Sequence, residues 1–231
     1  VTDSDAGTTT TRADLADALR AARDSYDTIA EDYTGEHPDG LGDGPLYGAL
    51  LTAFADLVKE AGGGPVADVG SGPGYVTARL HALGVPVFGV DVSPRMVALA
   101  RRAHPHLRFH VGSMTALDLP DATLGGITAL YSIIHVPDEH LPGVFAEFRR
   151  VLAPGGHVML LFQFEEDLDG RHLAERYGRP VDLRYHWRTP DRVAGLLADA
   201  GLDVRARAVL APEGPSRLRM PRGYVLARRP G

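Results

Sequence analysis

Cysteine is absent from the 231 residues. That excludes disulfides, thiolate metal sites and cysteine nucleophiles, and with them any enzyme that attacks a pyrimidine ring through a thiolate. Long apolar runs are missing too: none approaches the ~18–20 residues of a bilayer span, and no charged-then-apolar leader opens the sequence. Positive charge is scarce. Against 30 acidic residues stand 24 basic ones, a net charge of −6, which is the wrong sign for displacing counterions from nucleic acid. Lysine is reduced to Lys59, a bias better explained by codon usage than by phosphate binding. These absences lead us to expect a cytoplasmic protein, monomer or homodimer, with no nucleic-acid or membrane partner.

What remains is 44% apolar and 23% charged, enough for one α/β domain of ordinary size. Residues 1–12 are small and polar, with disorder expected. From Ala13 to Tyr33, Leu15, Ala18, Leu19, Ala22, Tyr26 and Ile29 recur at three- and four-residue spacing, which predicts a helix. A Gly/Pro-rich loop at 35–48 precedes a second helix, about 46–61, that stops at Gly62-Gly63-Gly64. Short apolar runs then fall at 65–69, 85–90, 107–111, 126–132 and 156–162. Helical patterns at 75–83, 94–103 and 138–152 separate most of them, an alternation that implies a parallel sheet with helices on both faces. Ser93-Pro94, Pro137-Asp138 and Thr189-Pro190 mark helix starts. The runs 202–210 and 223–228 form an antiparallel pair at the sheet edge, whereas 163–188 is polar and aromatic without a period.

Ligands of open α/β sheets bind outside the carboxyl ends of the strands, where strand order reverses. The loop Gly70-Ser71-Gly72-Pro73-Gly74 falls there. Its spacing is G-x-G-x-G, with Tyr75 where the third glycine of a dinucleotide loop belongs, and a lone triplet is weak evidence. Asp68 either caps loop amides or faces a cation, and it would repel a pyrophosphate. Asp91, closing the next strand, is placed for two ribose hydroxyls, the other reading being an acid that favours a helix dipole. A ligand with a ribose, a positive group and no required phosphate satisfies all three features.

VADVGSGPG, GVDVSPRMVALAR, HVGSMTALDLP and EFRRVLAPGGHVMLLF, in that order and spacing, resemble the class I S-adenosylmethionine-dependent methyltransferases from about residue 64 to 162. The resemblance implies a Rossmann-like, mostly parallel seven-stranded sheet, its last strand inserted antiparallel beside the fifth. It implies S-adenosylmethionine as cofactor and S-adenosylhomocysteine as product. Asp68, Gly70, Ser71, Gly72 and Gly74 would hold the methionine end, and Asp91 with Val92 the ribose. Gly112-Ser113-Met114 departs from the family, with serine where an acid is frequent. That leaves the backbone or the Ser113 hydroxyl for the adenine amine, while Met96 and Met114 either pack on the ring or fill the core.

Methyl transfer needs the acceptor atom, methyl and sulfonium in line, so positioning and water exclusion supply much of the rate. In LYSIIHVPDEH, Tyr131 and Ser132 would border the methionine part. His135 would take a proton from a phenol, acid or amine, the alternative being a structural helix start. The segment lacks the Asn/Asp-Pro-Pro-aromatic motif of adenine-N6 and glutamine enzymes, and the acid cluster a magnesium-dependent catechol enzyme needs. His104, His106 and His110 read as surface residues, so no metal is expected. SYDTIAEDYTGEH resembles a helical lid. Its Tyr33 would either reach the methionine carboxylate or serve plain helix packing, and Tyr26, two turns earlier, would share that face. The expected division is thus a lid at 13–61 and a core at 62–231. The insertion at about 163–188 (Gln163, Phe164, Arg184, Tyr185, His186, Trp187) forms either a substrate wall or an oligomer contact. The expected activity is methylation of an oxygen or nitrogen of a small molecule, such as a specialised metabolite. Its rivals are sulfonium-assisted cyclisation, a cofactor-binding protein without turnover, and, as an outsider, a nicotinamide oxidoreductase.

Overall fold

Each central strand carries apolar side chains on both faces, so the sheet they form is covered on both sides. The computed structural model describes residues 4–36, 44–165, 170–212 and 220–231, with side chains described from residue 14. The elements, in chain order, are α1 (Ser4–Glu36), α2 (Gly44–Glu60), β1 (Val66–Val69), α3 (Tyr75–Ala82), β2 (Val87–Asp91), α4 (Pro94–Ala103), β3 (Arg108–Val111) and β4 (Leu124–Leu130). There follow α5 (Leu141–Val151), β5 (Leu152–Gln163), β6 (Gly170–Arg176), β7 (Arg179–His186), α6 (Pro190–Asp199), β8 (Asp203–Leu210) and β9 (Arg222–Arg228). Seven strands make one sheet in the order β3-β2-β1-β4-β5-β9-β8. The first five are parallel, and β9 runs antiparallel between β5 and β8. The fold is a Rossmann-like, mostly parallel α/β sheet.

Alternation along β5 shows how the layers form. Val158, Leu160 and Phe162 join a cluster with Phe145 and Phe148 of α5 and Leu197 of α6. Met159 and Leu161, on the other face, join Leu51, Phe54 and Val58 of α2 and Leu80 of α3. Two predicted caps are present: Ser93 Oγ accepts the Met96 N–H, and Thr189 Oγ1 the Arg192 N–H.

Four elements depart from their predicted forms. The first helix starts at Ser4 rather than Ala13, because extending a nucleated helix adds a hydrogen bond per residue without a new nucleus. The second predicted helix is no part of a lid, since Leu51, Phe54, Ala55 and Val58 bury it against the sheet. The helix expected from 138 begins at Leu141 after a 3₁₀ turn at Asp138–His140, because the Asp138 carboxylate is bonded by Arg188 and Arg192 instead of capping. The insertion is a two-stranded hairpin, β6–β7, hidden from periodicity because most of its residues are at least partly exposed. The predicted loop at 35–48 lies for residues 37–43 outside the described residues.

The chain enters β1 through Gly64, pressed against Gly125 at the head of β4: a Cβ on Gly125 would meet the Gly64 carbonyl oxygen at 2.7 Å. Gly125→Ala is therefore expected to cost about 1–3 kcal/mol of stability, read as a lower urea midpoint with an unchanged slope.

Candidate functional site

The carboxyl ends of β1, β2 and β4 open into a cavity of about 110 Å³. Leu19, Ala22, Tyr26 and Tyr33 of α1 form its roof. That helix is tied at both edges of the opening. Asp27 accepts bonds from the Ser93 hydroxyl (2.5 Å) and the Arg95 N–H (3.0 Å) at the start of α4. On the other side, Ser25 Oγ accepts the Asp182 N–H (2.8 Å), Arg179 pairs with Asp32 (2.5 Å), and Tyr177 donates to Glu36.

The floor is the glycine loop. Gly70 has φ 77°, and the place of its missing Cβ is 2.3 Å from the Ser132 Cβ, so no larger residue fits. Gly72, at φ 51°, has open space where its Cβ would stand. Asp91 sits beneath: one carboxylate oxygen accepts the Gly72 N–H and the other the Ser93 N–H, each at 2.8 Å. Asp68 accepts the hydroxyls of Thr77 (2.6 Å) and Thr128 (3.0 Å). A carboxylate has about four acceptor positions, so both acids keep capacity for a ligand. Burial raises the Asp68 pKa to about 6, with Asp91 adding repulsion, and burial raises Asp91 as well. Among the described residues, no lysine or arginine lines the cavity. Two buried carboxylates without a cation favour a positively charged, hydroxyl-bearing ligand and oppose a phosphate.

His135 lies in the 3₁₀ turn Ile133–His135, after β4. Arg188 holds this turn from inside: its guanidinium, buried, donates to the carbonyls of Ile133 (3.1 Å) and Val136 and to Asp138 (2.6 Å). His135 Nδ1 is 2.8 Å from the Arg184 carbonyl oxygen and Nε2 is 2.8 Å from the Tyr26 hydroxyl. Burial lowers its pKa to about 4 and raises that of Tyr26, so both stay neutral. Tyr131 has φ 55°, a conformation bulky residues rarely adopt and one that clusters at functional sites.

Tyr26, Tyr33, Asp68, Gly70, Ser71, Gly72, Asp91, Val92, Met96, Gly112, Met114, Tyr131, Ser132 and His135 all line the cavity. Gly74 does not: it starts α3 at φ 91°, and its Cβ position is filled by Phe109. The Ser113 hydroxyl is bonded to the Thr115 hydroxyl and N–H inside its own turn. Gln163, Arg184, Tyr185, His186 and Trp187 are not among the lining residues, although Tyr185 packs on the His135 ring at 4.8 Å. Sequence reading missed Asp27, Thr77, Thr128, Arg176 and Arg188. Thr128, a lone hydroxyl within an apolar strand, was the one visible signal. Among the described residues no group of three histidines or acids is placed to hold a metal ion.

Fold and site together define an α/β protein with a cavity at the carboxyl edge of its sheet whose buried acids suit a cationic nucleoside. Comparison with known proteins narrows the class. Residues 66–156 match the family model described as a methyltransferase domain, and this stretch carries the likeness to S-adenosylmethionine-dependent methyltransferases. It is 34% identical over 97 residues to the demethylmenaquinone methyltransferase of Chlorobaculum parvum, covering 42% of this chain and 39% of that enzyme. It is 27% identical over 157 residues to the N-demethylindolmycin N-methyltransferase of Streptomyces griseus, covering 65% and 66%. The chain spans less than half the length of the demethylmenaquinone enzymes it matches. In fold it resembles the magnesium protoporphyrin IX methyltransferase of Synechocystis PCC 6803, solved with S-adenosylmethionine bound, with a TM-score of 0.67, 17% identity and coverage of 92% and 97%.

Arg188→Ala removes the bonds that shape the His135 turn and leaves Asp138 paired with Arg192 alone. The expected loss is about 2–4 kcal/mol of stability, read by chemical denaturation.

Proposed function

We propose that this protein moves a methyl group from S-adenosylmethionine to an oxygen or nitrogen of a small molecule. The observation that carries this reading is the pair of buried carboxylates, Asp68 and Asp91, in a cavity that no lysine or arginine lines among the described residues. The cofactor supplies an activated methyl on a sulfonium, so the protein's contribution is orientation, exclusion of water and handling of one proton.

Asp91, already anchored by two backbone amides, offers its free acceptor positions to the ribose hydroxyls. Asp68 and the open cradle at Gly72 face the methionine end, and Tyr33 and Tyr131 border it. Met96, Gly112 and Met114 surround the adenine. With the Ser113 hydroxyl internally bonded, backbone groups of that turn recognise the adenine amine. Helix α1 and the β6–β7 hairpin form the lid and place Tyr26 and His135 where an acceptor enters. Among the described residues no helix is long and apolar enough to cross a membrane, and small-molecule acceptors match those named for the quinone and indolmycin relatives. Gain of one methyl by an acceptor, together with release of S-adenosylhomocysteine, separates this function from cyclisation or simple cofactor binding.

Calorimetry with S-adenosylhomocysteine tests the two acids. Asp91→Ala is expected to weaken binding at least about 100-fold, the loss of charge-assisted bonds worth roughly 1.5–3 kcal/mol each; unchanged affinity removes the ribose assignment. Asp68, with its pKa at about 6, is ionised above that value and protonated below it. A bound ammonium lowers that pKa, so binding at a pH of about 5–6 is expected to release a proton and to be weaker than at about pH 7.5. Affinity that does not change with pH removes Asp68 from the cation's surroundings.

A further inference from the structure

The two ring nitrogens of His135 are both committed. Arg184 presents a carbonyl oxygen, which only accepts, so the proton of the neutral ring is on Nδ1 and points to it at 2.8 Å. Nε2 is then an acceptor, and the Tyr26 hydroxyl donates to it at 2.8 Å. In this arrangement His135 has no nitrogen left for a substrate. Tyr26 has spent its one proton, but its oxygen keeps acceptor capacity, and it lines the cavity from the lid. Tyr26 and His135 both line the cavity, and of the two only Tyr26 keeps an acceptor position for a proton.

We propose, on the reading that this cavity serves methyl transfer, that Tyr26 is the residue that takes the acceptor's proton, that His135 receives it through Tyr26, and that the acceptor is a hydroxyl. The acceptor oxygen uses a lone pair to bond the methyl carbon as the carbon–sulfur bond breaks, its electron pair remaining on sulfur. The oxygen's proton passes to Tyr26, and the Tyr26 proton passes to His135 Nε2. His135 becomes an imidazolium whose Nδ1–H still donates to Arg184, and it later returns one proton to solvent.

The surroundings select the acceptor. Packed about this pair are Tyr33 from α1, Arg176 from β6, and Tyr185 and His186 from β7, with Asp91 acting on Tyr26 from β2. Burial is the main cause of the weak basicity of His135, and His186 and Arg176 add to it. Burial likewise keeps the Tyr26 phenol protonated, with Tyr185, Tyr33 and Asp91 opposing its ionisation and Arg176 favouring it. An amine must shed an ammonium proton, held at a pKa of about 10, before its nitrogen can attack, and so weak a base does not remove it. A hydroxyl already carries its lone pairs. It becomes strongly acidic only as the new bond forms, when a weak base is sufficient. A carboxylate acceptor needs no base at all, so the pair has no task there.

Two measurements test the proposal. Long-range proton–nitrogen NMR of the ligand-free protein is expected to show His135 as the Nδ1–H tautomer at neutral pH. Tyr26→Phe removes a bond that favours the neutral ring, so its titration midpoint is expected to rise by about 0.5–1 unit. An Nε2–H tautomer, or a midpoint unmoved by Tyr26→Phe, overturns the pairing. In turnover with a panel of alcohols, phenols, carboxylates and amines, hydroxyl acceptors are expected to gain the methyl. Tyr26→Phe and His135→Gln are each expected to lower kcat about 10²–10⁴-fold, with S-adenosylhomocysteine affinity held within about twofold. Methylation of amines or carboxylates alone, or hydroxyl turnover unaffected by Tyr26→Phe, overturns the relay while leaving methyl transfer standing. Cofactor binding with no methylated product from any acceptor overturns methyl transfer and the relay together.

Discussion

Two carboxylates buried at the ends of adjacent strands are the constraint on which this structure turns. Asp68 and Asp91 are 1% and 9% exposed, and a charge taken out of water is costly unless something compensates it. Here the compensation is partial: two threonine hydroxyls for one acid, two backbone amides for the other. The backbone amides are decisive for the loop. By binding Gly72 and Ser93 together, Asp91 joins the glycine loop to the start of α4 and shapes the cavity floor. The remaining deficit is the reason a cationic ligand belongs there.

The same logic extends to the roof. Helix α1 buries Ala22, Ile29 and Ala30 and is tied at its edges by polar contacts: its Asp27 reaches the α4 cap, and Ser25, Asp32 and Glu36 reach the hairpin. The pairs at its rim, Glu31 with Arg95 and Asp32 with Arg179, are half exposed, where each ion pair is worth about 0–1 kcal/mol. The Tyr26–His135 bond joins this helix to the turn after β4.

Much of the core was legible because it depends on local period. Strands β1 to β5 and the helices between them follow apolar runs and turn residues a few positions apart. Asp68 and Asp91 were readable because each stands at a fixed offset from a glycine loop or a strand end. Elsewhere local cues misled. Pro137-Asp138 reads as a helix start, but Arg188, fifty residues on, takes the carboxylate. Ser113 reads as a ligand contact, yet its hydroxyl closes its own turn. The β6–β7 hairpin carries no period because neither face is fully buried.

By itself, then, the sequence determined the sheet, the glycine loop and the charge of the ligand the loop faces, since these follow from residues close together in the chain. The tertiary structure decided which groups His135 meets. Tyr26 and His135 are 109 positions apart, and His135 and Arg184 are 49. Their meeting is set by how α1 and β7 pack over the strand ends, and no local spacing encodes it. A histidine read from sequence as the base at the substrate becomes, once folded, the group standing behind a tyrosine.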